Sequence, residues 1–334
     1  MTAGAGSGYE TAVPNEPALA PRPAPGADWH RELSVVVPSY NGKELLRQTL
    51  ETFYALAPGA EVIVSDGSSS DGSAQMVRER FPQAKVVDHP NHGFAHANNV
   101  GIAEATRRFI LLLNSDLFLT EAALTALWRR LSDDPKVGAV APNLANVDGS
   151  RQSVFGSLYW PLWLPIVERR QVKLLSAACL MTRRDVLQAT GGLDENLFLY
   201  NEEHDWCRRV LDQGYTLELL GPQVVHVGGG STKRSPLLTL EERRGFLYVA
   251  QKHRWRTAFA IKVLLSLQAL VLRYLDPRPD WRKMWSRQWE LLASGDLLAS
   301  PFPVSGRGAD LQPLGQAAPA LPRAEPPVKA LKAG

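Results

Sequence analysis

Apolar and polar positions change their spacing repeatedly between residues 29 and 300. Leu33–Val37 is a short apolar run closed by Pro38, and Lys43–Leu56 then carries Leu45, Leu46, Leu50, Phe53 and Tyr54 at helical spacing. The alternation recurs. Glu61–Val64 predicts a second strand and Ser73–Phe81 a helix; Lys85–Val87 predicts a third strand and Phe109–Leu113 a fully apolar fourth; Glu121–Leu131 predicts a helix and Val137–Ala141 a fifth strand. Short apolar runs alternating with helical patterns indicate parallel βα units. Strands this apolar predict a sheet covered by helices on both faces. The expected fold class is therefore α/β, and ligands of such sheets bind at the carboxyl ends of the strands.

Those ends are polar. The first strand runs into Pro38-Ser39-Tyr40-Asn41-Gly42 and the second into Ser65-Asp66-Gly67-Ser68-Ser69-Ser70-Asp71-Gly72-Ser73. Asn91-His92-Gly93-Phe94-Ala95-His96-Ala97-Asn98-Asn99 follows the third, and the fourth ends in Asn114-Ser115-Asp116. These are ordinary turn residues, so one such loop says little; four on one rim predict a site for a polar ligand. Asp71 and Ser73 are expected to cap the following helix. Asp66 leaves its strand before the turn and is expected to accept a hydrogen bond from a base N–H. There is no GxGxxG after the first strand and no Walker A sequence, which argues against a dehydrogenase or a P-loop enzyme.

Composition adds the boundaries. The 334 residues are 45% hydrophobic and 21% charged, an ordinary globular balance. Residues 1–28 and 301–334 hold 12 of the 24 prolines and read as disordered tails. Cys179 and Cys207 form no CxxC pair, so no disulfide scaffold is expected and a reducing, cytoplasmic compartment fits. No uninterrupted apolar run approaches the ~20 residues of a membrane span, and no secretory signal is read at the N-terminus.

The net charge of +3 hides an asymmetry: residues 233–287 hold 13 Lys/Arg against 4 Asp/Glu. Within them Trp255–Leu275 places Phe259, Val263, Leu264, Leu267, Leu270 and Val271 at helical spacing, with Arg254, Arg256, Lys262 and Arg273 around them. Two readings stand: a helix lying on an anionic membrane surface, or one packed on the domain with its cations solvated. Leu158–Ile166, dense in aromatics and proline, is either core or a lip that meets lipid. No nucleic-acid recognition motif accompanies the basic charge, so nucleic acid is not an expected partner.

Together the motifs resemble family 2 glycosyltransferases of the GT-A fold, a Rossmann-like nucleotide-diphospho-sugar transferase fold. The resemblance rests on Val35 to Gly42, Asp66 to Ser73, Asn91 to Ile102 and Leu112 to Asp116. It continues, in the manner of the rhamnosyltransferase-like branch, through Leu175 to Leu180, Gly191 to Glu195, Phe198 to Arg209 and His226 to Ser231. It covers roughly residues 32–235. The implied organisation is a tail (1–28), a GT-A domain (29–235), basic amphipathic helices (236–300) and a second tail (301–334).

The resemblance implies inverting transfer of a sugar from a nucleotide diphospho-sugar to an acceptor hydroxyl. The best donor by branch is dTDP-L-rhamnose, with UDP-sugars open because both bases offer the same N–H edge. The implied acceptor is a cell-envelope glycan or lipid-linked saccharide, met in the cytoplasm or at the inner face of the plasma membrane. Pro38, Tyr40, Asn41, Asp66, Asn98, Asn114, Ser115 and Asp116 would bind the nucleotide sugar. Asp116 and His226 would hold a divalent cation, Mn2+ or Mg2+. Glu203 would be the general base, with Glu202 and Asp205 on the acceptor side and Asp205 second choice as base. Gly228 to Arg234 would be a mobile cationic loop or a plain connector. Three departures, Asn114 for an acid, Ala177 for Gly and Glu203 for Asp, keep one alternative open: a non-catalytic scaffold that binds glycans.

Overall fold

The computed structural model describes residues 29–152, 171–228 and 235–306. The predicted alternation is present from the start. A single 3-10 turn, Trp29–Glu32, leads into β1 (Leu33–Ser39), followed by α1 (Lys43–Leu56), β2 (Glu61–Asp66), α2 (Ser73–Arg80) and β3 (Lys85–Asp88). Next comes α3 (Phe94–Glu104), where the sequence pattern suggested only a polar loop, then β4 (Phe109–Leu113), β5 (Leu117–Phe118), α4 (Glu121–Asp133) and β6 (Val137–Ala145). The chain continues through β7 (Gln171–Val172), β8 (Cys179–Arg183), α5 (Arg184–Thr190), α6 (Glu202–Asp212) and β9 (Thr216–His226). Helices α7 (Pro236–Lys252), α8 (Ala258–Leu275) and α9 (Pro279–Ser294) close the described chain.

The strands form one sheet in the order β3-β2-β1-β4-β8-β6-β9-β5, with β7 also on β9. The sheet is mixed, not purely parallel as expected. β1, β2, β3 and β4 pair in parallel, but β8 inserts antiparallel between β4 and β6. Alternate strand residues point to opposite faces. Val35, Val37, Val62, Val64, Leu111 and Leu113 meet α1, α2 and α4 on one face, while Val36, Ile63, Ile110 and Leu112 meet α3, α5 and α6 on the other. α3 lies so close to β1 that a Cβ on Gly101 would come within 2.3 Å of Val36 Cγ1. Its polar composition hid it from periodicity: Asn98 and Asn99 are buried and hydrogen-bonded.

The C-terminal helices are fastened to this sandwich by buried charge. Lys252 of α7 bridges Asp194 (2.5 Å) and Asp205 (2.8 Å). The Glu241–Arg244 pair, fully buried, holds Phe198 N through Glu241 Oε1 and Asn196 O through Arg244 Nη2. Residues 301–306, assigned to the second tail by composition, are instead placed against the domain. Ser300 Oγ donates to Glu241 Oε2 at 3.0 Å, Phe302 stacks on Phe198 at 4.4 Å, and Ser305 donates to Glu195. Prolines suit this segment because it follows the domain surface without forming an element. The segment Leu158–Ile166, residues 229–234 of the cationic loop, and the rest of both tails lie outside the described residues.

Candidate active site

The carboxyl ends of β1, β2 and β4, the start of α6 and the end of β9 surround a cavity of about 710 Å³. That is within the ordinary size range of small-molecule sites. Pro38, Tyr40, Asn114, Ser115, Asp116, Glu202, Glu203 and His226 all line it. Four predicted residues do not.

Asp66 sits beneath the wall, 1% exposed, its Oδ1 and Oδ2 accepting from Ser69 N and Ser69 Oγ at 2.8 Å each. Asn41, at φ 51°, accepts from Ser70 N and so ties the first strand-end turn to the second. Asp71 joins the same two turns, accepting from Lys43 N and Ser73 N. These groups shape the rim, and the wall itself is made there by Ser39, Gly67, His89 and Asn91. Asn98 is buried within α3 and donates to Phe94 O, a helix-packing role rather than a place in the wall.

Asp205 is the clearest correction. Both its oxygens are taken: Oδ1 by His253 and Lys252 at 2.8 Å, Oδ2 by Arg209 at 2.8–2.9 Å. Burial alone would raise its pKa, but the His253 hydrogen bond and the Arg209 and Lys252 charges hold it well below the usual carboxylate range. It fastens α6 to α7 and is not on the acceptor side. Three residues apart on a helix, Glu202 and Asp205 would share a face; here Glu202 and Glu203, at the start of α6, line the cavity together instead.

That entry is strained. Tyr200 (φ 71°) and Asn201 (φ 73°) are consecutive left-handed non-glycine residues, a costly arrangement that clusters at functional sites. Asn201 Nδ2 donates to Glu242 O at 2.9 Å, so α7 holds the strained turn in place. Gly93 holds its other side. At φ 97° it leaves room for Phe94 N to donate to Phe198 O at 2.6 Å, where a Cβ would collide at 2.1 Å.

Glu202 and Glu203 titrate as a pair. Burial raises both, and the adjacent Glu203 charge pushes Glu202 up further. Two carboxyls sharing one buried site cannot both ionise freely, so the pair holds a proton more tightly than ordinary carboxyls do. A buried carboxyl whose folded pKa exceeds its unfolded value stabilises the fold below the unfolded value and loses that contribution as pH rises through the folded one. Glu202→Gln is therefore expected to stabilise the fold at pH 7–8 by about 0.5–2 kcal/mol, seen as a raised Tm, as for other relieved site residues. The gain should vanish as pH falls below the ordinary glutamate range. Thermal melts across pH check this, and a gain that persists in acid would disprove the pairing.

Across the cavity, Asp116 and His226 are brought together by backbone. Leu117 pairs with His226 in the β5–β9 ladder, and Val227 N donates to Asp116 O at 3.0 Å. Gln152, which no sequence signal singled out, completes the unit. Its Nε2 donates to His226 O at 2.7 Å, which sets the amide orientation, so its Oε1 accepts from His226 Nδ1 at 2.9 Å. The lone pair of His226 Nε2 then faces Asp116 Oδ1 at 3.2 Å, with Asn114 Nδ2 3.4 Å from the same nitrogen. A carboxylate with an oriented imidazole is a donor set that divalent ions accept. Among the described residues no group of three or more His, Cys, Asp or Glu could hold a metal. The remaining ligands of such an ion would come from water or substrate.

Four buried oxygens of the wall, Ser39 Oγ, Asn114 Oδ1, Glu202 Oε2 and Glu203 Oε2, receive no hydrogen bond from another part of the described protein. Unsatisfied buried polar atoms are rare and mark strain or a missing partner. Here they share one cavity.

A mixed sheet whose strand ends frame an acid- and histidine-lined cavity is the architecture of the GT-A fold, and comparison with known proteins agrees. A mannosyltransferase from Pyrobaculum calidifontis, solved with GDP-mannose and Mn2+, superposes with a TM-score of 0.53 at 18% identity, covering 81% of this chain and 88% of that one. TarS 1–349 of Staphylococcus aureus gives 0.54 at 17% identity, covering 80% and 82%. Residues 34–191 match the glycosyl transferase family 2 profile. The match ends before Glu202, Glu203 and His226.

Among curated relatives, the N-acetylglucosaminyl-diphospho-decaprenol L-rhamnosyltransferase of Mycobacterium tuberculosis is 26% identical over 266 residues, 67% of this chain and 86% of its own length. The pre-mycofactocin glycosyltransferase of the same organism is 28% identical over 205 residues, 59% of this chain and 42% of its own length. The chain is a glycosyltransferase.

Proposed function

We propose that this protein transfers a sugar, with inversion, from a nucleotide diphospho-sugar to a hydroxyl of an envelope glycan or lipid-linked saccharide at the cytoplasmic face of the membrane. The observation that carries the reading is the single cavity in which unpartnered buried oxygens, the Glu202–Glu203 pair and the Asp116–His226 pair converge. The Glu203 carboxylate takes the acceptor hydroxyl proton as that oxygen attacks the anomeric carbon from the face opposite the diphosphate. The anomeric carbon–oxygen bond breaks, and its electron pair leaves with the diphosphate. Glu202 keeps Glu203 aimed. Ser39, Tyr40 and Asn91 receive the nucleoside, and Phe198 and Phe302 wall the acceptor side. Asp116 and His226, with Asn114 beside them, would hold a divalent ion, which would supply neutralising charge for the leaving diphosphate. The donor proposed is dTDP-L-rhamnose, supported by the rhamnosyltransferase relative.

Calorimetry with dTDP, UDP and GDP, each with and without Mn2+, tests this. The expected result is metal-dependent binding of dTDP, with UDP next and GDP weakest. Gln152→Ala, which frees the His226 ring, is expected to weaken Mn2+ about 10–100-fold. Failure of every nucleotide to bind, with or without metal, would leave the non-catalytic scaffold as the better account.

A further inference from the structure

Helix α8 wears its apolar face outward. Seven of the twelve exposed large hydrophobic residues among those described belong to it. Val263, Leu264, Leu267, Val271, Tyr274 and Leu275 recur every three or four residues and so form one stripe. Leu264 is 63% exposed and Leu275 72%. The opposite side is occupied: Leu265 and Ala269 are buried, Gln288 Nε2 of α9 donates to Leu265 O at 3.0 Å, and Arg243 of α7 bonds Gln268 at 2.6 Å. By length and composition α8 could cross a bilayer, but these contacts hold it as the outer member of a three-helix layer.

The stripe has a cationic frame. Arg254 and Arg256 precede α8 and are exposed, and Arg278 follows it, stacked over Trp281 at 4.3 Å. A shallow hollow of about 740 Å³ along α9 is lined by Arg282, Lys283 and Arg287, with Glu290 its one acid. A second copy of this chain docking by two-fold symmetry would set that frame against itself. An anionic bilayer instead offers hydrocarbon to the stripe and phosphate to the frame.

We infer that α8 lies in the plane of an anionic phospholipid surface, its stripe in the acyl boundary and the α9 cations on lipid phosphates. The test is vesicle flotation of the full chain with phosphatidylcholine alone and with added phosphatidylglycerol, beside its mass in solution. Flotation is expected with the anionic vesicles and to be much weaker with the neutral ones. Leu264→Asp/Leu267→Asp should abolish it. Arg282→Gln/Lys283→Gln should lower anionic binding about 30-fold, from the attraction each basic residue has for such a surface. Neither pair lines the cavity, so unchanged nucleotide binding shows that each variant is folded. The inference is overturned if the wild type does not float, if Leu264→Asp/Leu267→Asp floats equally well, or if the wild type is a dimer that this variant makes monomeric.

Discussion

Glu203→Gln is expected to lower kcat by about 10²–10⁴-fold, the usual contribution of a positioned general base. The substitution keeps size and shape, so the cavity should still bind nucleotide diphosphate; only the ability to accept a proton is lost. Because burial raises the Glu203 pKa, wild-type kcat/KM should fall as pH drops through a value above the ordinary carboxylate range. Glu202 tunes that limb. Glu202→Gln retains a hydrogen-bond donor toward Glu203, so kcat should stay near wild type. Glu202→Leu removes the donor and leaves burial unopposed, so the acid limb should move to higher pH. This separates positioning from catalysis, since a merely structural Glu202 would change Tm and not the pH profile. Wild-type turnover by Glu203→Gln would remove Glu203 as base. Asp205, spent on Lys252, His253 and Arg209, would not replace it.

The apolar runs announced β1, β2, β4 and β6 because burial on both faces of a sheet leaves few polar positions; β3, at the exposed edge, showed only its two valines. α3 escaped because its Asn and His residues are buried by hydrogen bonds to the segment around Leu193 and Glu195, about a hundred residues away. Insertion of β8 between β4 and β6 was invisible for a related reason: sheet order is a long-range property that no local spacing records. At the site, motif residues at strand ends were found by type, but which of them face the cavity depends on turns. Asp66 and Ser39 differ in this way. They pair across β1 and β2, yet Asp66 folds back on Ser69 while Ser39 turns into the wall. Gln152 carried no signal at all, because a glutamine that orients a histidine of the site has the same sequence appearance as any surface glutamine.

The largest stability effect should come from Arg244→Met. The guanidinium is wholly buried. It bonds Glu241 through two nitrogens and also reaches the carbonyls of Asn196 and Leu297. Removing it strands a buried carboxylate and unties two carbonyls, a loss of about 3–5 kcal/mol when one member of a buried pair is deleted. For a chain of this size that is roughly 10 °C in Tm. Glu241→Gln/Arg244→Met should recover part of the loss, because the unpaired charge goes while the neighbouring donors keep an amide oxygen. The position of the pair gives it a second consequence. Glu241 holds Phe198 N and Ser300, and Arg244 holds Leu297 O, so the pair seats the segment that brings Phe302 onto Phe198 in the cavity wall. In Arg244→Met, limited proteolysis should cut between residues 297 and 306 faster than in wild type. KM for the acceptor should rise more than KM for the donor if the Phe198–Phe302 wall receives the acceptor as proposed. Equal effects on both substrates would place that wall elsewhere in the reaction, and an unchanged Tm would show that the buried pair contributes nothing net to the fold.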